Sequence, residues 1–153
     1  LGVPPNRIII FGHSLGTAPA IELATRVPAA GLIVEGAPTS VRDRGAELYP
    51  WLPVKFVAQI DFNSLARLSR VHMPVMLMHA IADQRIPIAH GRRLFAVANE
   101  PKRFVELGGG HGDAFKKDSS TYFSAYRRFV DELAQRPRAS QPPSPSRPRS
   151  TKP

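Results

Sequence analysis

The chain predicts an α/β fold, a parallel sheet flanked by helices. Three observations carry that prediction. Residues 7–11, 31–35 and 74–78 are short, mainly apolar runs of strand length, and 102–107 is a fourth segment of strand length. The run from Ile8 to Phe11 is rich in β-branched residues and lacks polar alternation, as expected of a strand buried on both faces. Longer segments of helical periodicity separate these runs, and strand, helix, strand in that order is the pattern of a parallel sheet covered by helices. No internal repeat accompanies it.

The elements follow in order. After the first strand, residues 15–27 have helical spacing at Ala20, Leu23, Ala24 and Val27. The second strand is 31–35. Residues 36–60 read as irregular, with Pro38, Pro50 and Pro53 and a short apolar patch at Tyr49, Trp51 and Leu52. Residues 63–68 suggest a short helix and 74–78 a third strand. Residues 90–98 form a helix through Leu94, Phe95 and Val97, and 102–107 the last strand. The final helix, 119–135, turns Tyr122, Phe123, Tyr126, Phe129, Val130 and Leu133 inward or nearly so.

Composition bounds the function classes. A 42% hydrophobic chain of 153 residues has enough apolar content for a packed core. It has no apolar run near membrane-spanning length. Zero cysteines exclude disulfides, thiolate metal sites and a cysteine nucleophile. The net charge of +9 is concentrated at one end. Arg136, Arg138, Arg147, Arg149 and Lys152 lie in an acid-free segment, and without them residues 1–135 carry +4. The expected domains are therefore a globular 1–135 and a disordered Pro/Arg/Ser-rich tail, 136–153, with some polyproline II character. The tail reads first as a solubilising segment, with an anionic surface as the competing role.

In a parallel α/β sheet, chemistry collects at the C-terminal strand ends. The first strand runs directly into Gly12-His13-Ser14-Leu15-Gly16 and then a helix. G-x-S-x-G between a buried strand and a helix is a nucleophile elbow. The turn is expected to need glycine at 12 and 16, where a side chain would collide with neighbouring backbone. It lifts Ser14 to a helix N-terminus, where backbone N–H groups favour developing negative charge.

A serine hydroxyl needs a base. His111, in the glycine-rich 108–113 loop after the last strand, is the candidate. His13 sits inside the elbow and is expected to point away from Ser14. His72 precedes a strand, at the wrong end of the sheet. His79 reads as a structural hydrogen bonder and His90 as a surface or cap residue. The base in turn needs an acid to fix its tautomer. Asp83, just past the third strand, is preferred over Glu35, at the second strand end, and over Asp113, only two residues from His111.

The order Ser14, Asp83, His111, with the segments 11–20, 48–53 and 109–113, resembles α/β-hydrolase-fold serine hydrolases. Within them it is similar to the branch of bacterial α/β hydrolases and acyl-protein thioesterases. Two departures are visible: Ala80 follows His79 where relatives carry glycine, and Gly112 stands where many carry asparagine. The resemblance implies a partial α/β-hydrolase fold lacking the N-terminal strands. It implies ester or thioester cleavage through an acyl-enzyme on Ser14, with the Leu15 N–H as one oxyanion donor. The second donor would come from a loop before the elbow strand and has no candidate here. The isolated chain is accordingly expected to be weakly stable and weakly active, with an exposed strand edge open to association.

Peptidase chemistry on the same triad, or an inactive interaction fragment with a basic tail, are the competing readings. His13, Tyr49, Trp51 and Leu52 are candidate substrate-pocket residues. No metal or organic cofactor and no nucleic-acid partner are expected. The expected substrate is a small-molecule or acyl-protein ester or thioester. A membrane surface is a weaker candidate partner, and a cytoplasmic location is slightly favoured.

Overall fold

The computed structural model describes residues 2–48, 51 and 63–136. After a short 3-10 turn at Pro5–Arg7, its elements are β1 (Ile9–His13), α1 (Thr17–Ala24), β2 (Gly31–Glu35), α2 (Val41–Leu48), α3 (Ser64–Leu68), β3 (Val75–Ala80), α4 (Ile88–Val97), β4 (Lys102–Leu107), α5 (Ala114–Lys117) and α6 (Ser119–Gln135). The strands form a parallel sheet in the order β1-β2-β3-β4.

Because that order advances in one direction, right-handed crossovers put the connecting helices on one face. There Ile10, Leu32, Val34, Val75 and Leu77 of the sheet pack with Ala20 and Ile21 of α1, Leu68 of α3 and Leu94 of α4. Strand alternation sends Ile33, Met76, Met78 and Leu107 to the opposite face, against Ala114 and Phe129. Every residue of β2 and β3 is consequently buried, which is why neither strand alternates with polar residues.

β1 departs from its sequence reading in two ways. It begins at Ile9 rather than Arg7, because the Pro4-Pro5 segment starts the 3-10 turn that takes up Arg7. It is also not buried on both faces. Ile10 and Gly12 are covered, while Phe11 and His13 are exposed on the α6 side. Among the described residues β1 pairs only with β2.

Three helix expectations are also corrected. Residues 41–48, read as irregular, form α2. This helix is largely polar and offers no apolar stripe for periodicity to detect. Its Glu47 instead bonds Arg44 within the helix and His90 of α4. In α1 the buried stripe is Thr17, Ala20, Ile21 and Ala24, and Leu23 and Val27 face outward. In α6 the inward stripe is Tyr122, Ala125, Tyr126, Phe129 and Leu133, while Phe123 is 57% exposed and Val130 is also outward. The short α5 was not anticipated. The tail from residue 137 onward lies outside the described residues. Among the described residues, no helix is long and apolar enough to cross a membrane.

Candidate active site

Each candidate triad residue sits at or just past a C-terminal strand end. After His13 the chain turns through a 3-10 segment, Ser14–Gly16, into α1. Ser14 has φ of 53°, the only positive φ outside glycine among the described residues. Side-chain-bearing residues adopt that conformation at a cost of about 1–3 kcal/mol when the surroundings impose it. The imposing contacts are visible. Thr17 donates from Oγ1 to the Ser14 carbonyl at 2.6 Å. A Cβ on Gly12 would lie 2.6 Å from the Gly16 carbonyl oxygen and 2.7 Å from both the Thr17 Cα and the Ala20 Cβ. Glycine at 12 is what lets α1 begin so close to β1. The matching expectation for Gly16 fails: a Cβ there would meet nothing within 4 Å, and its φ is an ordinary −64°.

β4 delivers the loop that carries His111. Asp83 lies three residues beyond β3, its side chain almost wholly buried. The Asp83 carboxylate accepts the backbone N–H groups of Arg85 at 2.9 Å and Ile86 at 2.8 Å on Oδ1. Its Oδ2 lies 2.6 Å from Nδ1 of His111. A carboxylate only accepts, so Nδ1 carries the proton and Nε2 presents its lone pair. Nε2 is 2.7 Å from Oγ of Ser14, which therefore donates to it. The three residues named from sequence form one hydrogen-bonded chain.

β2 contributes room rather than a reacting group. Gly36, directly after β2, has φ of 57°, and a Cβ there would stand 3.4 Å from Cε1 of His111 and 3.8 Å from Oδ2 of Asp83. The His111 ring lies beside this vacancy in crossing from β4 toward β1.

The rejected candidates have other partners. Glu35 accepts from the Tyr122 hydroxyl at 2.9 Å, and Asp113 accepts the Gly110 N–H at 2.6 Å. His72 is exposed. His79 is a buried hydrogen bonder, as its position suggested. Its Nε2 donates to the Ile86 carbonyl at 2.7 Å and lies 3.6 Å from Oδ2 of Asp83. Burial pushes its imidazole below the ordinary histidine pKa. His90 is not at the surface but buried. Thr39 donates its N–H to Nδ1 of His90 at 3.3 Å, leaving Nε2–H to donate to Glu47 at 2.9 Å. Burial pushes the Glu47 carboxyl up, but the hydrogen bonds from His90 and Arg44 outweigh it and hold Glu47 below its usual range.

The pocket candidates fare unevenly. Trp51 is 77% exposed, and Tyr49 and Leu52 lie outside the described residues. His13 turns its ring toward the histidine loop, with Nε2 3.1 Å from the His111 carbonyl. Leu15 has an exposed side chain. Its N–H belongs to the first turn after β1, where helix amides lack intrahelical acceptors. Sequence reasoning missed Gly36 and the Glu35–Tyr122 pair. A glycine directly after a strand end was the available signal for the first. A cavity lined by Pro74, Pro101, Phe129 and Leu133 sits at the opposite, N-terminal end of β3 and β4. Among the described residues, no group of three or more histidines and carboxylates could hold a metal ion.

No family model matches the chain. An uncharacterized protein of Mycobacterium tuberculosis is 40% identical over 133 residues, covering 86% of this chain and 47% of that protein. Alpha/beta hydrolase domain-containing protein 17B of Xenopus laevis is 32% identical over 136 residues, covering 88% of this chain and 42% of that protein. Among solved structures, an esterase of Pyrococcus furiosus superposes with a TM-score of 0.67 at 17% identity, over 84% of this chain and 54% of that one. The chain spans about half the length of the curated relatives it matches. The chain has the α/β-hydrolase fold and is similar in sequence to α/β-hydrolase domain proteins over the part it shares with them.

Proposed function

We propose that the chain carries the catalytic triad of a serine hydrolase that cleaves carboxylic esters or thioesters. The reading rests on the unbroken chain from Ser14 Oγ to His111 Nε2 and from His111 Nδ1 to Asp83 Oδ2. Ser14 attacks the acyl carbonyl while His111 Nε2 takes its proton. His111 then gives that proton to the leaving alcohol or thiol, and an acyl-enzyme remains on Ser14. Water, deprotonated by His111, releases the acid. Asp83 holds the Nδ1–H tautomer and stabilises the imidazolium formed in each half-reaction. The Leu15 N–H, at the residue after the nucleophile, is one oxyanion donor.

No second oxyanion donor is assigned among the described residues. One such donor is worth on the order of 10²–10³ in turnover, so slow hydrolysis by the isolated chain is consistent with the proposal. The experiment is a panel of matched acyl ester, acyl thioester and acyl amide substrates, with Ser14→Ala as control. The expected result is slow release from ester and thioester that vanishes in the variant. Hydrolysis that survives Ser14→Ala contradicts the proposal, and preference for the amide replaces it with a peptidase.

A further inference from the structure

We propose that His13 is a positioning residue for the catalytic histidine, holding the backbone of His111 at the nucleophile's strand. The inference rests on the hydrolase reading above and concerns the same site. The sheet order creates the need for such a tie. Ser14 follows β1 and His111 follows β4, the first and last of the four strands among the described residues. Three strand spacings separate those two strands, roughly 14 Å. The strand ladders fix the ends of β1 and β4, but among the described residues no backbone–backbone hydrogen bond joins the two loops to each other. The His111 loop crosses the ends of β3 and β2 to reach the elbow.

Four glycines, Gly108, Gly109, Gly110 and Gly112, flank His111 and give the loop little stiffness of its own. Side chains and neighbouring backbone anchor its first part. Gly108 donates its N–H to Asp118 at 3.0 Å, Gly110 donates to Asp113 at 2.6 Å, and the Gly109 carbonyl accepts from Ala82 N–H at 3.2 Å. These bonds fix residues 108–110 to α6, to α5 and to the acid loop. The tie at the main chain of His111 comes from His13. A carbonyl oxygen only accepts, so His13 Nε2 carries a proton and donates it to the His111 carbonyl at 3.1 Å. The two rings lie 5.1 Å apart at 43°.

His13 is the last residue of β1 and immediately precedes the nucleophile. The bond therefore joins the strand that carries Ser14 directly to the main chain of its base. The Ser14–His111 bond is interrupted whenever the serine proton moves, whereas the His13 bond involves no reacting atom. It holds the imidazole in register with both Ser14 and Asp83 through the reaction.

The test uses the 153-residue chain with His13→Phe, which keeps a ring and removes the donor, and His13→Gln, whose amide reaches as far as Nε2 and restores it. Two readouts are taken: the far-downfield proton resonance of the His111–Asp83 hydrogen bond, and the rate of Ser14 modification by a fluorophosphonate. Thermal melts confirm that each variant folds. The expected result is that His13→Phe broadens or loses the resonance and slows modification about five- to tenfold, the kinetic equivalent of one neutral hydrogen bond. His13→Gln recovers both. A folded His13→Phe with the wild-type resonance and rate overturns the proposal. Wild-type protein that displays the resonance but is not modified contradicts the hydrolase reading instead, and the resonance alone then decides the role of His13.

Discussion

His79 donates to the carbonyl of Ile86 across the loop that carries Asp83, at 2.7 Å. A buried residue at the end of β3 thereby closes the acid loop on itself and fixes where the carboxylate stands. The bond needs only a neutral imidazole, and burial favours that form by lowering the His79 pKa from its ordinary value of 6.5. The unfolded chain therefore takes up a proton here at higher pH than the folded one does. This residue's contribution to stability is complete above about pH 6.5 and is lost as the pH falls toward the lower folded value. In urea unfolding measured at a series of pH values, stability should decline as the pH falls below the ordinary histidine value of 6.5. His79→Gln, which keeps a donor and cannot titrate, should flatten that decline. An unchanged slope in the variant would count against this assignment.

The two elbow glycines should respond oppositely to alanine. At Gly12 the new methyl would meet backbone of Gly16 and Thr17, which cannot step aside without moving α1. A loss of about 1–3 kcal/mol is expected, the usual range for overpacking. At Gly16 the methyl enters open space on a residue of helical φ and ψ. There the change should be neutral or stabilising by up to about 1 kcal/mol, through the unfolded chain. Denaturant midpoints of the two variants provide the comparison, and equal losses would refute the geometric argument.

Asp83→Asn should separate structure from chemistry. The asparagine oxygen can still accept one set of bonds, but its amide no longer matches the proton on Nδ1 of His111. If the triad operates as proposed, turnover should fall on the order of 10³–10⁴ while the fold persists. Steady-state kinetics with a thermal melt on the same sample measure both. Retained turnover would move the acid role elsewhere, and Glu35 would then be the residue to replace.

Glu35 has its own prediction. Its carboxylate is buried and accepts from Tyr122, whose hydroxyl also lies 3.4 Å from that of Tyr126. Burial pushes the pKa of both tyrosines up, so both remain donors at neutral pH. Tyr122→Phe removes a donor from a buried acceptor and should cost about 1–3 kcal/mol. In a double-mutant cycle, Glu35→Gln should reduce that cost. Additive losses in the double variant would mean the two side chains do not act as a pair.

The layered fold and the three hydrogen-bonded side chains of the candidate site were legible because each depends on local sequence. Strand runs such as 31–35 announce themselves by apolar content, and the elbow by a strand, two glycines and a helix. His111 and Asp83 followed from strand ends. The sequence left less trace of features that depend on distant parts of the chain. α2 has no apolar stripe because charged contacts hold it, one of them to His90 from more than forty residues away. The outward turn of Phe123 and Val130 depends on which face of α6 meets the sheet, and apolar content alone cannot choose between faces. His13 read as a pocket candidate pointing away from Ser14, and its bond to the His111 carbonyl was not foreseen, because that partner is ninety-eight residues distant and has no side-chain signature.

The central claim is that Ser14 is an activated nucleophile, and a fluorophosphonate tests it without requiring turnover. The reagent is incubated with the 153-residue chain and the adduct located by peptide mass spectrometry. One equivalent of label is expected on Ser14, lost in Ser14→Ala and strongly slowed in His111→Ala. Folded protein that takes no label, or takes it on another residue, would contradict the claim.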